Sequence, residues 1–130
     1  MLNFRLPLAI SLGAIAGALT RYYVNLWFVR HYGTGFPYGI LAINMTGCCL
    51  MGLIATLTLD RTLFLSPEVY SLLTTGFLGA FTTFSTYGLD TVMLARERTG
   101  NLAVLYWLGS AIGGIVSVQL GIIIAHWFRS

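Results

Sequence analysis

Charged residues interrupt this chain only at wide intervals, and the apolar runs between them are long. Apart from Arg21 the stretch between Arg5 and Arg30 is apolar. No Asp, Glu, Lys or Arg occurs between Arg30 and Asp60, from Val69 to Leu89, or from Thr99 to Phe128. A helix needs about 20 apolar residues to cross the hydrocarbon core of a bilayer. The pattern therefore predicts four membrane-spanning helices, at 6–29, 36–59, 70–95 and 101–127. The joints carry residues that end or start helices: Gly33, Gly35 and Pro37 in the first, Ser66-Pro67-Glu68 as a helix start in the second, and Gly100-Asn101 in the third. Arg5, the apolar stretch after it and Ala16-Gly17-Ala18 imitate a cleaved signal peptide. An uncleaved span is the better reading, because apolar residues continue past Arg21 and Tyr22, Tyr23 and Trp27 suit an interfacial aromatic belt.

Composition turns this pattern into a class. Of 130 residues, 57% are hydrophobic and 8% charged, where a soluble domain carries about 25% charged residues. Four spans consume about 80 residues and leave short loops, so the expectation is one all-α, multi-pass membrane domain over residues 1–130. The charged groups are seven arginines and four carboxylates, with no lysine. The net charge of +3 comes from arginines scattered at the ends of apolar runs rather than from a basic stripe, so no nucleic-acid partner is expected. Cys48 and Cys49 are adjacent inside an apolar run and read as packing residues, not as a disulfide framework.

The loop arginines bear on orientation. With four spans, Arg5, Arg61 and Arg129 fall on one side and Arg30, Arg96 and Arg98 on the other, three against three. An excess of Lys and Arg normally sets which side faces the cytoplasm. Without one the chain is expected to insert both ways, which permits an antiparallel homodimer with a two-fold axis in the membrane plane, unless Arg21 tips the balance. Small residues four apart (Gly13 and Gly17, Gly35 and Gly39, Gly109 and Gly113, Ser117 and Gly121) predict close helix packing.

Polar residues inside a span need partners and are functional candidates. Arg21 sits about 12 Å from the nearer end of its helix at about 1.5 Å per residue; it either snorkels to the headgroups or draws anions into a vestibule, and both readings stand. Asn44, eight residues into the second span, is either interhelical glue or a donor of its amide N–H groups to an anion. The third span holds Gly79, Thr82, Thr83, Ser85, Thr86 and Gly88, poor material for an uninterrupted helix, and is expected to break near its middle. Backbone can break in a membrane only where protein or a cavity satisfies it, and freed carbonyls suit a small hard cation such as sodium. Phe81, Phe84 and Tyr87 recur every third residue beside the break. Their positive ring edges can surround an anion without gripping it, although aromatics at this spacing also suit core packing. Tyr106 and Ser110, one turn apart, place two hydroxyls on one face of the fourth span. Paired carboxylates, a Cys-His pairing and a phosphate loop are all missing, so no enzyme activity is expected.

Together these stretches resemble the CrcB/Fluc family of fluoride channels across all four spans. The resemblance is carried by Gly13-x3-Gly17-x3-Arg21-Tyr22, Asn44-x2-Gly47-x4-Gly52, Gly76-Phe77-x-Gly79-x2-Thr82-Thr83-Phe84-Ser85-Thr86 and Tyr106-x3-Ser110, of which the third-span motif is highly specific. It implies an antiparallel dual-topology homodimer in the cell (inner) membrane with two pores, passing fluoride passively out of the cytoplasm and lowering its toxicity. It further implies a structural sodium ion, not itself transported, held by the backbone carbonyls of Gly79 and Thr82 from each subunit. Phe84 and Tyr87 fall on the positions of the pore aromatics, Asn44 on the pore asparagine, Arg21 on the vestibule arginine, and Ser85, Tyr106 and Ser110 on or near the polar track. Position 87 carries tyrosine where the family usually has phenylalanine, and Leu78 and Ala80 replace the common cysteine and glycine. Two other readings remain: a small dual-topology drug or cation exporter, which needs a membrane carboxylate that the first span lacks, and a non-transporting membrane subunit.

Overall fold

The computed structural model describes residues 4–128, all helical apart from short joints. Arg129, one of the six loop arginines weighed above, lies outside the described residues. The first helix, α1, runs Arg5–Tyr32. It stops at Gly33, whose φ of 74° and amide bond to the Val29 carbonyl (2.9 Å) form a C-cap that a side chain would strain. The second helix, α2, spans Tyr38–Leu59 with Pro37 as its N-cap. The last, α6, spans Gly100–Trp127. Gly100-Asn101, the joint signal before the fourth span, opens α6, because Thr99 caps the helix by accepting a bond from the Leu102 amide.

The third segment is composite. It opens as α3, Pro67–Ser71, with Ser66 as N-cap and proline at the first position, as the sequence predicts. It then runs as a π-helical stretch, Leu72–Leu78, into a short α4, Gly79–Phe81. The hydroxyl of Thr74 donates to the Tyr70 carbonyl at 2.8 Å, the acceptor that an α-helix reserves for the Thr74 amide. Such back-bonding loosens the α pitch. The expected break comes at Thr82 and Thr83, both extended (ψ 157° and 120°), after which α5 runs Phe84–Glu97.

Two glycine seams bring these elements together. The α2 and α6 helices pack along their length, and α1 packs on the first half of the third segment. A Cβ on Gly13 would run into the Leu72 carbonyl, and one on Gly17 into the Phe77 carbonyl. Across the other seam a Cβ on Gly52 would meet the Val118 carbonyl, and one on Gly121 the Cys49 carbonyl. These contacts are backbone on backbone, so nothing flexible can yield. Gly109, expected to pack with Gly113, has open space around it within the chain.

By length and composition α2 and α6 can each cross a membrane, yet only 28% and 17% of their apolar stretches are buried inside the chain. Soluble core helices bury such faces. Here they point outward, with Ile112, Ile115, Val116 and Leu120 of α6 among the exposed residues.

Candidate functional site

Asn44 organises the break. Its side-chain oxygen accepts from the Thr83 amide at 2.9 Å, and its NH2 donates to the Thr83 carbonyl at 3.2 Å. In a continuous helix the Thr83 amide would bond the Gly79 carbonyl; diverted to α2, it leaves that carbonyl without its continuing donor. Thr82 spends both its amide and its hydroxyl on the Leu78 carbonyl, each at 3.0 Å. Its own carbonyl is turned out of the helix and accepts from the Arg21 guanidinium at 3.3 Å. Thr83 then restarts the helix, its hydroxyl accepting from the Thr86 amide and donating to the Thr86 hydroxyl at 3.0 Å.

Beside the break lies a cleft of about 480 Å³, walled by α2, α5 and α6. Of the residues singled out in the sequence it gathers Asn44, Thr82, Phe84, Tyr87 and Ser110. Phe84 is 84% exposed within the chain, and its ring centroid lies 5.6 Å from that of Tyr87. Tyr87 is buried and donates its hydroxyl to the Trp107 carbonyl at 2.7 Å, so the ring rather than the O–H borders the cleft.

The remaining residues are distributed around this cleft rather than within its wall. Tyr106 is buried behind Tyr87, with centroids 5.6 Å apart. Ser85 is exposed and approaches the Thr83 hydroxyl at 3.4 Å. Arg21 is half-buried on the far side of the break. Gly79 sits one turn earlier, where a Cβ would meet only the Thr74 carbonyl at an ordinary 3.7 Å.

Hydroxyls elsewhere in the helices satisfy themselves. Ser11, Thr20, Thr46, Thr58 and Thr91 each donate to the carbonyl four residues back, at 2.7–2.8 Å. Ser110 and Tyr106 do not. Among the described residues their buried oxygens and Asp90 Oδ2 close no hydrogen bond of good geometry, but the three groups sit together, Tyr106 pairing loosely with Asp90 and with Ser110. In the sequence Asp90 stands only as the end of a charge-free run. Its signal was a carboxylate one turn after Thr86, with Val92, Met93 and Leu94 still to come. It lines small cavities near the α1–α2 joint, away from the main cleft.

The family model described as CrcB-like protein, Camphor Resistance (CrcB), matches residues 8–122. A protein of Trichormus variabilis named fluoride-specific ion channel FluC is 55% identical over 124 residues, covering 95% of this chain and 90% of its own length. Proteins of the same name from a Synechococcus species and from Chloroflexus aurantiacus are 46% and 44% identical, covering 98% and 93% of this chain and 97% and 95% of themselves. The matched stretch contains every residue of the break, the cleft and both glycine seams, and on that breadth the chain belongs to the CrcB family.

Proposed function

We propose that this protein is a passive, fluoride-selective channel of the cell's inner membrane that lets fluoride leave the cytoplasm. The observation that carries the reading is the cleft wall. It joins aromatic rings from Phe84 and Tyr87 to the Asn44 amide and the Ser110 hydroxyl, with no lysine, arginine or carboxylate in it. The relatives named as fluoride channels supply the identity of the anion.

Moving a bare small anion into a low-dielectric medium costs tens of kcal/mol, so donors must replace its water almost continuously. An ion must also leave again, which favours weak, distributed sites over a fixed cationic charge. Asn44 spends one N–H on the Thr83 carbonyl and keeps a second for the cleft. The Ser110 and Tyr106 hydroxyls supply further donors, with Ser85 at the flank of the track. Tyr87 offers its ring edge, because its O–H belongs to Trp107. No pump is required: a potential of 100 mV, negative inside, is worth about 2.3 kcal/mol per charge, which holds internal fluoride roughly fiftyfold below external at 1.36 kcal/mol per tenfold.

The working unit of this reading is an antiparallel, dual-topology homodimer. Support comes from the balanced loop arginines and from the outward apolar faces of α2 and α6. The cleft is also open on the side of Phe84, where a second copy would complete a pore. A structural sodium ion fits the break by the chemistry of its donors. Gly79 and Thr82 present hard carbonyl oxygens released from the helix ladder, and Gly79 is exposed within the chain, so an external group can approach it. One chain supplies only two such oxygens, too few to surround a hard cation that takes several oxygen ligands, so the site would need the partner's pair as well. Bound there, the ion would tie the two breaks together.

The test is flux from purified protein in liposomes, read with a fluoride electrode. Passive fluoride efflux with chloride retained is expected. Coupled exchange of protons for organic cations would establish an exporter instead, and absence of any ion flux a packing subunit.

A further inference from the structure

The Arg21 guanidinium occupies the same carbonyl that the cation reading assigns to sodium. Glycine packing puts it there. Gly17, one turn earlier on α1, seats against the Phe77 carbonyl, and this close approach delivers Arg21 to the break, where it donates to the Thr82 carbonyl at 3.3 Å. Among the described residues no carboxylate lies within 4 Å of Arg21, so the carbonyl is the acceptor that holds it. Every other hydrogen-bonding group of Thr82 is spent on Leu78. The turned-out carbonyl is thus the one group of this residue offered outward, and a positive charge already rests on it.

From this geometry we propose that Arg21 is a built-in surrogate cation for the helix break: it holds the Thr82 carbonyl in the single chain and gives it up when sodium binds between two copies. The inference rests on the sodium reading above. A guanidinium and a metal ion on one carbonyl oxygen are like charges at close range in a poorly screened interior, where their repulsion is far stronger than in water. Each therefore weakens the other's hold, and linkage makes the weakening reciprocal. In the lone chain the arginine supplies the positive partner that an extended, half-buried carbonyl needs. In the dimer, the released guanidinium is free to turn toward the aqueous mouth and attract anions. Sodium binding and anion attraction would then be coupled through one side chain.

The experiment measures the fraction of dimer in dilute detergent as sodium chloride replaces choline chloride at constant ionic strength, for the parent and for Arg21→Gln and Arg21→Lys. Glutamine keeps a donor but removes the charge; lysine keeps the charge. Arg21→Gln is expected to lower the sodium concentration at half-dimerisation about tenfold, within the usual 5–150-fold range of coupling between sites, and Arg21→Lys to stay within about twofold of the parent. An unchanged or raised midpoint in Arg21→Gln overturns the surrogate role while leaving the sodium site standing. If dimerisation in the parent and both variants ignores sodium, the sodium reading itself falls and this inference with it. Should Arg21→Gln not fold, Arg21→Met, which keeps much of the apolar stem, is measured against the same expectation.

Discussion

Up to Phe81 the third segment is pressed backbone to backbone against α1; from Phe84 onward it leans on α6 through side chains. In the first half the determining contacts are glycines on carbonyls: Gly13 on Leu72, Gly17 on Phe77, and Gly76 on Ile10 of α1. In the second half they are the Tyr87 hydroxyl on the Trp107 carbonyl and the Tyr87 ring beside Tyr106. A Cβ on Gly88, in the second half, would meet nothing within 4 Å. Backbone contact fixes position rigidly but has no chemistry to offer an ion. Side-chain contact leaves room beside it, and that room is the cleft. The break between the halves lets one segment serve both partners, and Asn44 reaching across from α2 keeps the two halves in register.

The comparison would break most completely at the rigid half. Gly17→Val drives a branched side chain into the Phe77 carbonyl with no soft neighbour to yield. Overpacking costs about 1–3 kcal/mol and occasionally more, against a total stability of about 5–15 kcal/mol, so little monodisperse protein and a strongly lowered melting temperature are expected. A melting temperature equal to the parent's would show that the seam is not tight.

The open half should respond in function instead. Phe84→Ile keeps an apolar side chain at a site that is 84% exposed within the chain, so folding should survive while fluoride flux falls to the liposome background. Near-normal flux would make the ring a packing group only.

Asn44→Ala tests the hinge between the halves. It strands the Thr83 amide, and a buried donor left unpaired costs about 1–3 kcal/mol. Thermal unfolding should register that loss, together with reduced flux. An effect on flux with unchanged stability would mean that Asn44 serves the anion and not the break.

Smaller still is Tyr87→Phe, which removes the hydroxyl that Trp107 receives but keeps the ring. It should cost about 1 kcal/mol and leave fluoride flux close to the parent's, since the ring is the part that borders the cleft. Collapse of flux would assign the role to the hydroxyl. At the bottom of the scale, Gly109→Ala enters open space and should change stability by no more than about 0.5 kcal/mol, which separates the crowded glycines from the merely frequent ones.

Much of this architecture can be read without coordinates. Charge spacing places the four hydrophobic segments to within a few residues at each end, because an apolar run bounded by arginines has no stable alternative to a helix in lipid. Ser66-Pro67-Glu68 marks its helix start because capping is local chemistry. The break was legible in the cluster Thr82-Thr83-Phe84-Ser85-Thr86 with Gly79 and Gly88 around it, since glycines and hydroxyls weaken a helix wherever they occur. The roles of the polar residues were not legible. Whether Asn44 was glue or donor, and whether Arg21 snorkelled or attracted anions, depended on which carbonyls lay opposite, and those belong to residues 39 and 61 positions away. The π-helical winding of Leu72–Leu78 and the buried cluster of Tyr106, Ser110 and Asp90 were hidden for the same reason. Local sequence sets what a segment tends to be. Partners across the bundle decide which hydrogen bonds it closes, which it leaves open, and hence where an ion finds room, because those choices depend on distances that only packing creates.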